Sequence, residues 1–228
     1  MTARTLTRPD SLEARARLSL GASDNAIYTM VAEALNERGI SRGRHVDVGC
    51  GRGELWRVLS SRFDRYCGLD AVRYDNYPAD AEFLQVDLDA PDWPLGDGEA
   101  DVVTAVETIE HLENPWGFVR SLARLAKPGG WVVVTTPNQL SVLSLMTLVV
   151  KRRFSAFQDP MYPAHRTALL ESDLQRMASA AGLEETSVAY SHRGRVPLAG
   201  WHYPASLARQ FPRALSDNIL VMGRRPCD

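Results

Sequence analysis

Glu107, Thr108, Ile109, Glu110 and His111 follow one another along the chain. If that stretch turns helically, two carboxylates and an imidazole stand at i, i+3 and i+4 on one face. Such a trio supports two kinds of chemistry. An imidazole poised near neutral pH can take a hydroxyl proton while the oxygen attacks an electrophile, which makes His111 a catalytic candidate beside Glu110. Alternatively, Glu107, Glu110 and His111 hold a divalent cation, with oxygen and nitrogen ligands that suit magnesium, manganese or zinc, and the cation lowers the pKa of a bound hydroxyl. A structural role, with Glu110 capping or pairing locally, is the third reading.

A second constellation lies upstream. Val46-Asp47-Val48-Gly49-Cys50-Gly51-Arg52-Gly53-Glu54 reads as a strand, a glycine turn and a helix start. Glycines at 49, 51 and 53 permit positive φ and remove Cβ atoms, so the turn can press its backbone against a flat ligand. A plain tight βα turn is the bland alternative. In the G-x-G-x-x-G phosphate fingerprint the sixth position is glycine; here it is Glu54, a carboxylate where a pyrophosphate would sit. A cofactor with no phosphate and a positive centre fits better. Asp70 ends the next strand, where an acid can accept both hydroxyls of a ribose; a solvated turn aspartate is the alternative. Asp87, at the tip of the third strand, could receive the exocyclic amine of an adenine, with Asp89 nearby as a competitor.

These residues need strands that end together and helices that connect them. Apolar bursts alternate with amphipathic stretches and no repeat period appears, the pattern of a βαβ sheet. Short strands are expected at His45–Val48, Tyr66–Leu69, Phe83–Val86, Asp101–Ala105 and Trp131–Thr135. Ser23 is the expected cap of a helix with Ile27, Met30, Val31, Ala34 and Leu35 inward, ended by Gly39. Another helix is expected from Glu54 to Arg62, with Leu55, Trp56 and Leu59 inward. Asn114-Pro115 opens a further helix, and Lys127-Pro128-Gly129-Gly130 closes it before the fifth strand. Ser172 and Gln175 suggest a capping box for a helix that buries Leu174, Met177, Ala178 and Ala181 and ends at Gly182. Ser187–Tyr190 and Asn218–Met222 can form two last strands.

Residues 45 to 138 resemble class I S-adenosylmethionine-dependent methyltransferases in the acid-bearing glycine loop, Asp70, Asp87, the Asp101-Val102-Val103 strand and the Lys127-Pro128-Gly129-Gly130 turn. The resemblance implies a doubly wound, Rossmann-like α/β fold with a mostly parallel seven-stranded sheet and an antiparallel last strand. It implies S-adenosyl-L-methionine as cofactor. Asp47 and the loop of Gly49, Gly51 and Gly53 would hold the methionine part, Asp70 the ribose, and Asp87 with the Leu88 backbone the adenine; Glu107 joins this set. The transferred methyl would lie beside Glu107–His111. The E-x-x-E-H element is similar both to ubiquinone-pathway O-methyltransferases and to small-RNA 3'-terminal 2'-O-methyltransferases. In the latter a downstream histidine completes a metal site, and His165 is the candidate.

Composition narrows the partners. A net charge of −2 and a sequence pI near 6.2 give no broad attraction for a phosphate backbone, so bulk nucleic-acid binding is not expected. Cys50, Cys67 and Cys227 form no C-x-x-C pair, and with no apolar signal stretch near the start the expected location is cytoplasmic. Residues 1–22 read as an N-terminal extension and 23–228 as the methyltransferase domain, with a hydrophobic lid-like insert at 139–165. Within it Leu140 to Val150 would be a helix apolar almost all round, with one narrow polar stripe of Ser141, Ser144 and Thr147 at every third position, and too short to span a bilayer. Lys151, Arg152 and Arg153 follow, so segment 140–157 could cover an apolar substrate, form a dimer face or lie at a membrane surface. His45, His192 and His202 have no companions at ligand spacing and read as surface or packing residues. The expected function is methyl transfer to a small-molecule acceptor, at a hydroxyl oxygen. An RNA-end 2'-O-methyltransferase and a non-catalytic cofactor-binding regulator are the alternatives.

Overall fold

The computed structural model describes residues 12–19 and 21–227. Seven strands form one sheet: β1 (Arg44–Val48), β2 (Arg65–Asp70), β3 (Glu82–Gln85), β4 (Ala100–Ala105), β5 (Ala126–Pro137), β6 (Glu184–Tyr190) and β7 (Asn218–Arg224). Their order is β3-β2-β1-β4-β5-β7-β6, and β7 alone runs antiparallel to its neighbours β5 and β6. This is the expected doubly wound sheet with a reversed last strand. The order turns back at β1, so a crevice opens between the carboxyl ends of β1 and β4.

Strand alternation divides the core into two layers. Val103 and Ala105 of β4, with Val132 and Val134 of β5, pack with Phe118, Leu122, Leu174 and Met177. Those side chains come from α4 (Pro115–Leu125) and α6 (Glu171–Ala180). The intervening Val102 and Val133 turn to the other face, against Val31, Leu35, Leu55 and Leu59. These belong to α2 (Asn25–Glu37) and α3 (Glu54–Leu59). Truncating a fully buried side chain such as Leu122 to Ala would cost about 2 to 5 kcal/mol.

Several boundaries differ from expectation for local reasons. The cap of α2 is Asp24, whose carboxylate accepts from the Ala26 N–H, rather than Ser23; the Ser23 N–H instead donates to the Tyr28 hydroxyl. For α6 the cap position is Leu170, and Asp173 reaches back to its N–H, so Ser172 and Gln175 form no capping box. Helix α3 ends at Leu59 rather than Arg62, and Trp56 is only partly buried. Asn114 caps α4 as expected, its side chain accepting from the Gly117 N–H. The segment Lys127–Gly130 lies within β5, where the pairing register with β4 shifts between Ala100 and Val102.

Helix α1 (Leu12–Arg17) and the turn after it lie against the glycine loop: the Arg52 N–H donates to the Gly21 carbonyl at 2.8 Å, and the Tyr74 hydroxyl donates to the Ala16 carbonyl at 3.1 Å. Helix α5 (Val142–Lys151) turns its polar stripe inward. Ser141 accepts from the Ser144 N–H, Ser144 is fully buried and accepts from the Ser155 N–H, while Leu145, Met146, Val149 and Val150 are exposed. Residues 155–165 then return to the sheet edge. That stretch contains a 3-10 turn at Asp159–Met161; α6 and β6 follow, and α7 (Ala205–Gln210) precedes β7. No helix among the described residues is long and apolar enough to cross a membrane.

Candidate active site

A cavity of about 540 Å³ opens at the carboxyl ends of β1, β2 and β4, within the size range of small-molecule sites. Asp47, Gly49, Gly51, Asp70, Asp87, Leu88, Glu107, Glu110, His111 and His165 all line it. Gly53 does not; it caps α3 at φ 73°.

The glycine loop is built for close approach. At Gly49 (φ 76°) a Cβ would collide with the Thr108 side chain, and at Gly51 (φ 52°) with the Gly21 carbonyl. The Gly51 N–H donates to Asp70 Oδ2 at 2.8 Å, and Val72 N–H donates to Oδ1 at 3.3 Å. The acid at the tip of β2 thus braces the loop. Burial raises the Asp70 carboxyl above its ordinary range, against the pull of those N–H donors. Glu54 opens α3 with its carboxylate on Arg57 at 2.6 Å, so the helix start already holds an anion.

Asp47 sits beneath the loop, almost fully buried. Its Oδ1 accepts from the Thr104 hydroxyl at 2.7 Å and its Oδ2 from the Tyr66 hydroxyl at 3.2 Å. Because the Thr104 proton is engaged by Asp47, the ring of His45 must donate Nε2–H to Thr104, at 2.8 Å. His45 is therefore a packing residue, as expected, and also the base of a directional chain. Burial pushes its pKa down to about 3 and that of Asp47 up to about 7, the latter with a further rise from Asp70. Thr104 and Tyr66 were not legible as site residues, since nothing in a strand valine-threonine run marks the hydroxyl that faces an acid.

Past β4 the chain forms a 3-10 turn over Ile109–His111, not a full α-turn, and the two glutamates take different hydrogen-bond partners. Glu107, at φ 48°, accepts from the Thr135 hydroxyl at 3.0 Å and from Asn218 Nδ2 at 2.8 Å. Burial, then the nearby Glu110, raises its pKa well above the carboxylate range. Glu110 is fully buried: Oε2 accepts from Thr136 at 3.1 Å and Oε1 has no hydrogen-bond partner. Its pKa is pushed up to about 7 by burial.

Glu110, His111 and His165 each bring one ligand-type atom within 4.8 Å of the others. Glu107 is outside that group. The His111 and His165 Nδ1 atoms lie 2.8 Å from the Ala164 and Ala156 carbonyls. A carbonyl only accepts, so both Nδ1 atoms carry protons and both Nε2 atoms present lone pairs when the rings are neutral. Burial lowers the His111 pKa, opposed by the Ala164 and Glu107 carbonyls and the charge of Asp70; His165 falls to about 4 through burial and then the nearby His111. This donor set, with an unpartnered carboxylate oxygen and both imidazoles held through their far nitrogens, suits a divalent cation.

Further wall residues carried no sequence signal: Arg193, Arg195 and His202 come from the long β6–β7 connection, and Ser19 with the stretch from Gly21 to Asp24 closes the side above the glycine loop.

The methyltransferase-domain family model matches residues 24–188. A Mycolicibacterium smegmatis protein described as a probable S-adenosylmethionine-dependent methyltransferase is 29% identical over 77% of the chain and 66% of its own length. A ubiquinone biosynthesis O-methyltransferase from Bordetella bronchiseptica is 31% identical over 65% of each. The chain thus spans just under two thirds of the length of these relatives. Among solved structures, the methyltransferase in complex with the Haloferax volcanii Trm112 methyltransferase activator has a TM-score of 0.64 at 21% identity, covering 94% of this chain and 95% of that one. With the sheet order and the glycine loop described above, these matches show that the chain belongs to the class I S-adenosylmethionine-dependent methyltransferase family.

Proposed function

We propose that this protein transfers the methyl group of S-adenosylmethionine to a hydroxyl oxygen of a small-molecule acceptor, with His111 taking the hydroxyl proton. The observation that carries this is the hydrogen bond from His111 Nδ1–H to Ala164, which leaves a neutral ring with its Nε2 lone pair at the cavity. The ubiquinone O-methyltransferase relative supports oxygen as the methylated atom.

When bound, S-adenosylmethionine supplies an electrophilic methyl on a sulfonium centre. The chain does the rest. Asp47 and the Gly49–Gly51 backbone hold the methionine part, Asp70 accepts the ribose hydroxyls, and Asp87 with the Leu88 backbone reads the adenine; Glu107 closes the cofactor side near the acceptor. Burial raises the Asp47, Asp70 and Glu107 carboxyls, and a cationic ligand beside them favours their charged forms. The acceptor hydroxyl would give up its proton to His111 Nε2 as its oxygen takes the methyl from sulfur. Glu110 lines the same cavity beside His111.

A second reading is favoured by the unpartnered Glu110 Oε1. Glu110, His111 and His165 would hold a divalent cation, which supplies Lewis acidity to a bound hydroxyl. The Nδ1 bonds to Ala164 and Ala156 would then orient both imidazoles.

The test is mass spectrometry after incubation with methyl-deuterated S-adenosylmethionine and a protein-free metabolite filtrate. A deuterated methyl ether is the expected product. Label found only on nitrogen or carbon, or on RNA ends, contradicts the proposal.

A further inference from the structure

Among the described residues, the cavity wall changes sign along the chain. Up to Glu110 it contributes acids and no lysine, arginine or histidine; from His111 onward it adds Arg166, Arg193, Arg195, His165 and His202 against the single acid Asp217. The acidic half is the one built for a cationic cofactor. The basic half lies on the segments that follow β5 and β6, where an acceptor would enter.

Two of these arginines keep their guanidinium forks available. Arg195 is held through its backbone N–H and its Nε, both on Asp217 Oδ2, with the Nε contact at 2.5 Å. Arg193 touches Asp24 through Nε at 3.4 Å. In neither does a terminal amino group have a hydrogen-bonded acceptor among the described residues. The backbone bridge between Arg195 and His202 fixes this stretch at the wall. Arg166 differs: it is engaged by Glu113 and the Pro163 carbonyl. Holding Nε on an acid orients the planar group and leaves the two-pronged end for another planar or tetrahedral oxyanion.

We infer that the acceptor carries, besides the hydroxyl that is methylated, an oxyanion of the carboxylate or phosphate type, bound by the forks of Arg193 and Arg195. This rests on the methyl-transfer reading above. The oxyanion is not the methylated group, so the product keeps its negative charge. The Arg195 fork loses little freedom on binding because its Nε is already held by Asp217.

The experiment uses the full chain with methyl-deuterated S-adenosylmethionine and the protein-free filtrate, and passes the products over an anion exchanger. The labelled product is expected in the retained fraction; loss of retention after phosphatase treatment marks a phosphate ester, persistence a carboxylate. Arg193→Gln with Arg195→Gln should raise the KM for that fraction about tenfold or more, the effect of losing charge-assisted bonds of about 1.5 to 3 kcal/mol, with cofactor affinity unchanged. Arg→Lys at both sites should recover part of the loss. Label confined to uncharged or cationic species, or an unchanged KM in the Gln variant, overturns the inference while leaving methyl transfer intact. No label in any small molecule removes the methyl-transfer reading and the inference with it.

Discussion

The rings of His111 and His165 meet edge to face, with centroids 4.8 Å apart, although they lie far from each other along the chain. Each is fixed by an Nδ1–H bond to a carbonyl, and Glu110 completes the group. The segment that carries His165 is anchored here by Arg166 and Thr167 N–H donors, both to the Glu110 carbonyl. The acid, the base and the returning loop therefore form one unit.

His111→Ala removes the proton acceptor without touching the glycine loop. Turnover should fall about a hundredfold or more, while cofactor affinity stays at the wild-type value. A variant that loses both equally would place His111 in cofactor binding.

Chelation separates the two readings of the trio. If a cation serves the reaction, exhaustive chelation should abolish turnover and added magnesium, manganese or zinc should restore it, with His165→Ala needing more metal for half-activity. Activity that survives chelation and ignores added cations leaves His111 as a metal-free base.

Asp70 offers its carboxylate both to the Gly51 N–H and to the cavity. Asp70→Ala should weaken S-adenosylmethionine binding by about 1 to 3 kcal/mol, the range for a lost bond to a charged acceptor. Unchanged affinity would reject the ribose assignment.

Asp47 gives a pH prediction of defined sign. Its pKa rises from an ordinary carboxylate value in the unfolded chain to about 7 in the fold. Between those values the folded state binds the extra proton, so the Asp47 contribution to stability falls as pH rises through that window, by at most about 1.4 kcal/mol for each pH unit crossed. Asp47→Asn should therefore raise the melting temperature of the ligand-free protein at pH 8 more than at pH 5, and weaken cofactor binding. Thermal melts that show the same difference at both pH values would remove this account of Asp47.

Much of the fold and the cofactor side was readable because local chemistry dictates it. Gly49 and Gly51 must be glycine where Thr108 and the Gly21 carbonyl crowd the turn, and Asn114-Pro115 is a ready-made helix opening. The cap of α2 went to Asp24 beside Ser23, since Ser, Asp and Asn compete for such positions within a residue or two, whereas at α6 Leu170 takes the cap position and Asp173 bonds its N–H. The acceptor side was harder. Helical spacing put Glu107 with Glu110 and His111, but Glu107 takes Thr135 and Asn218 as partners instead. In α5 the three-residue polar repeat was visible; its direction was not. Ser144 faces inward because Gln139 and Ser155 wait there to bond it, a tertiary fact with no local signature. Arg193 and Arg195 reach the cavity through a long connection whose path no periodicity records.

The most direct measurement of the central claim is calorimetric titration of the ligand-free protein with S-adenosylmethionine. One molecule should bind per chain, and Asp47→Ala combined with Asp70→Ala should abolish the heat while the protein still melts cooperatively. A wild-type protein that gives no binding heat across several temperatures, or a double variant that binds as tightly as wild type, contradicts it.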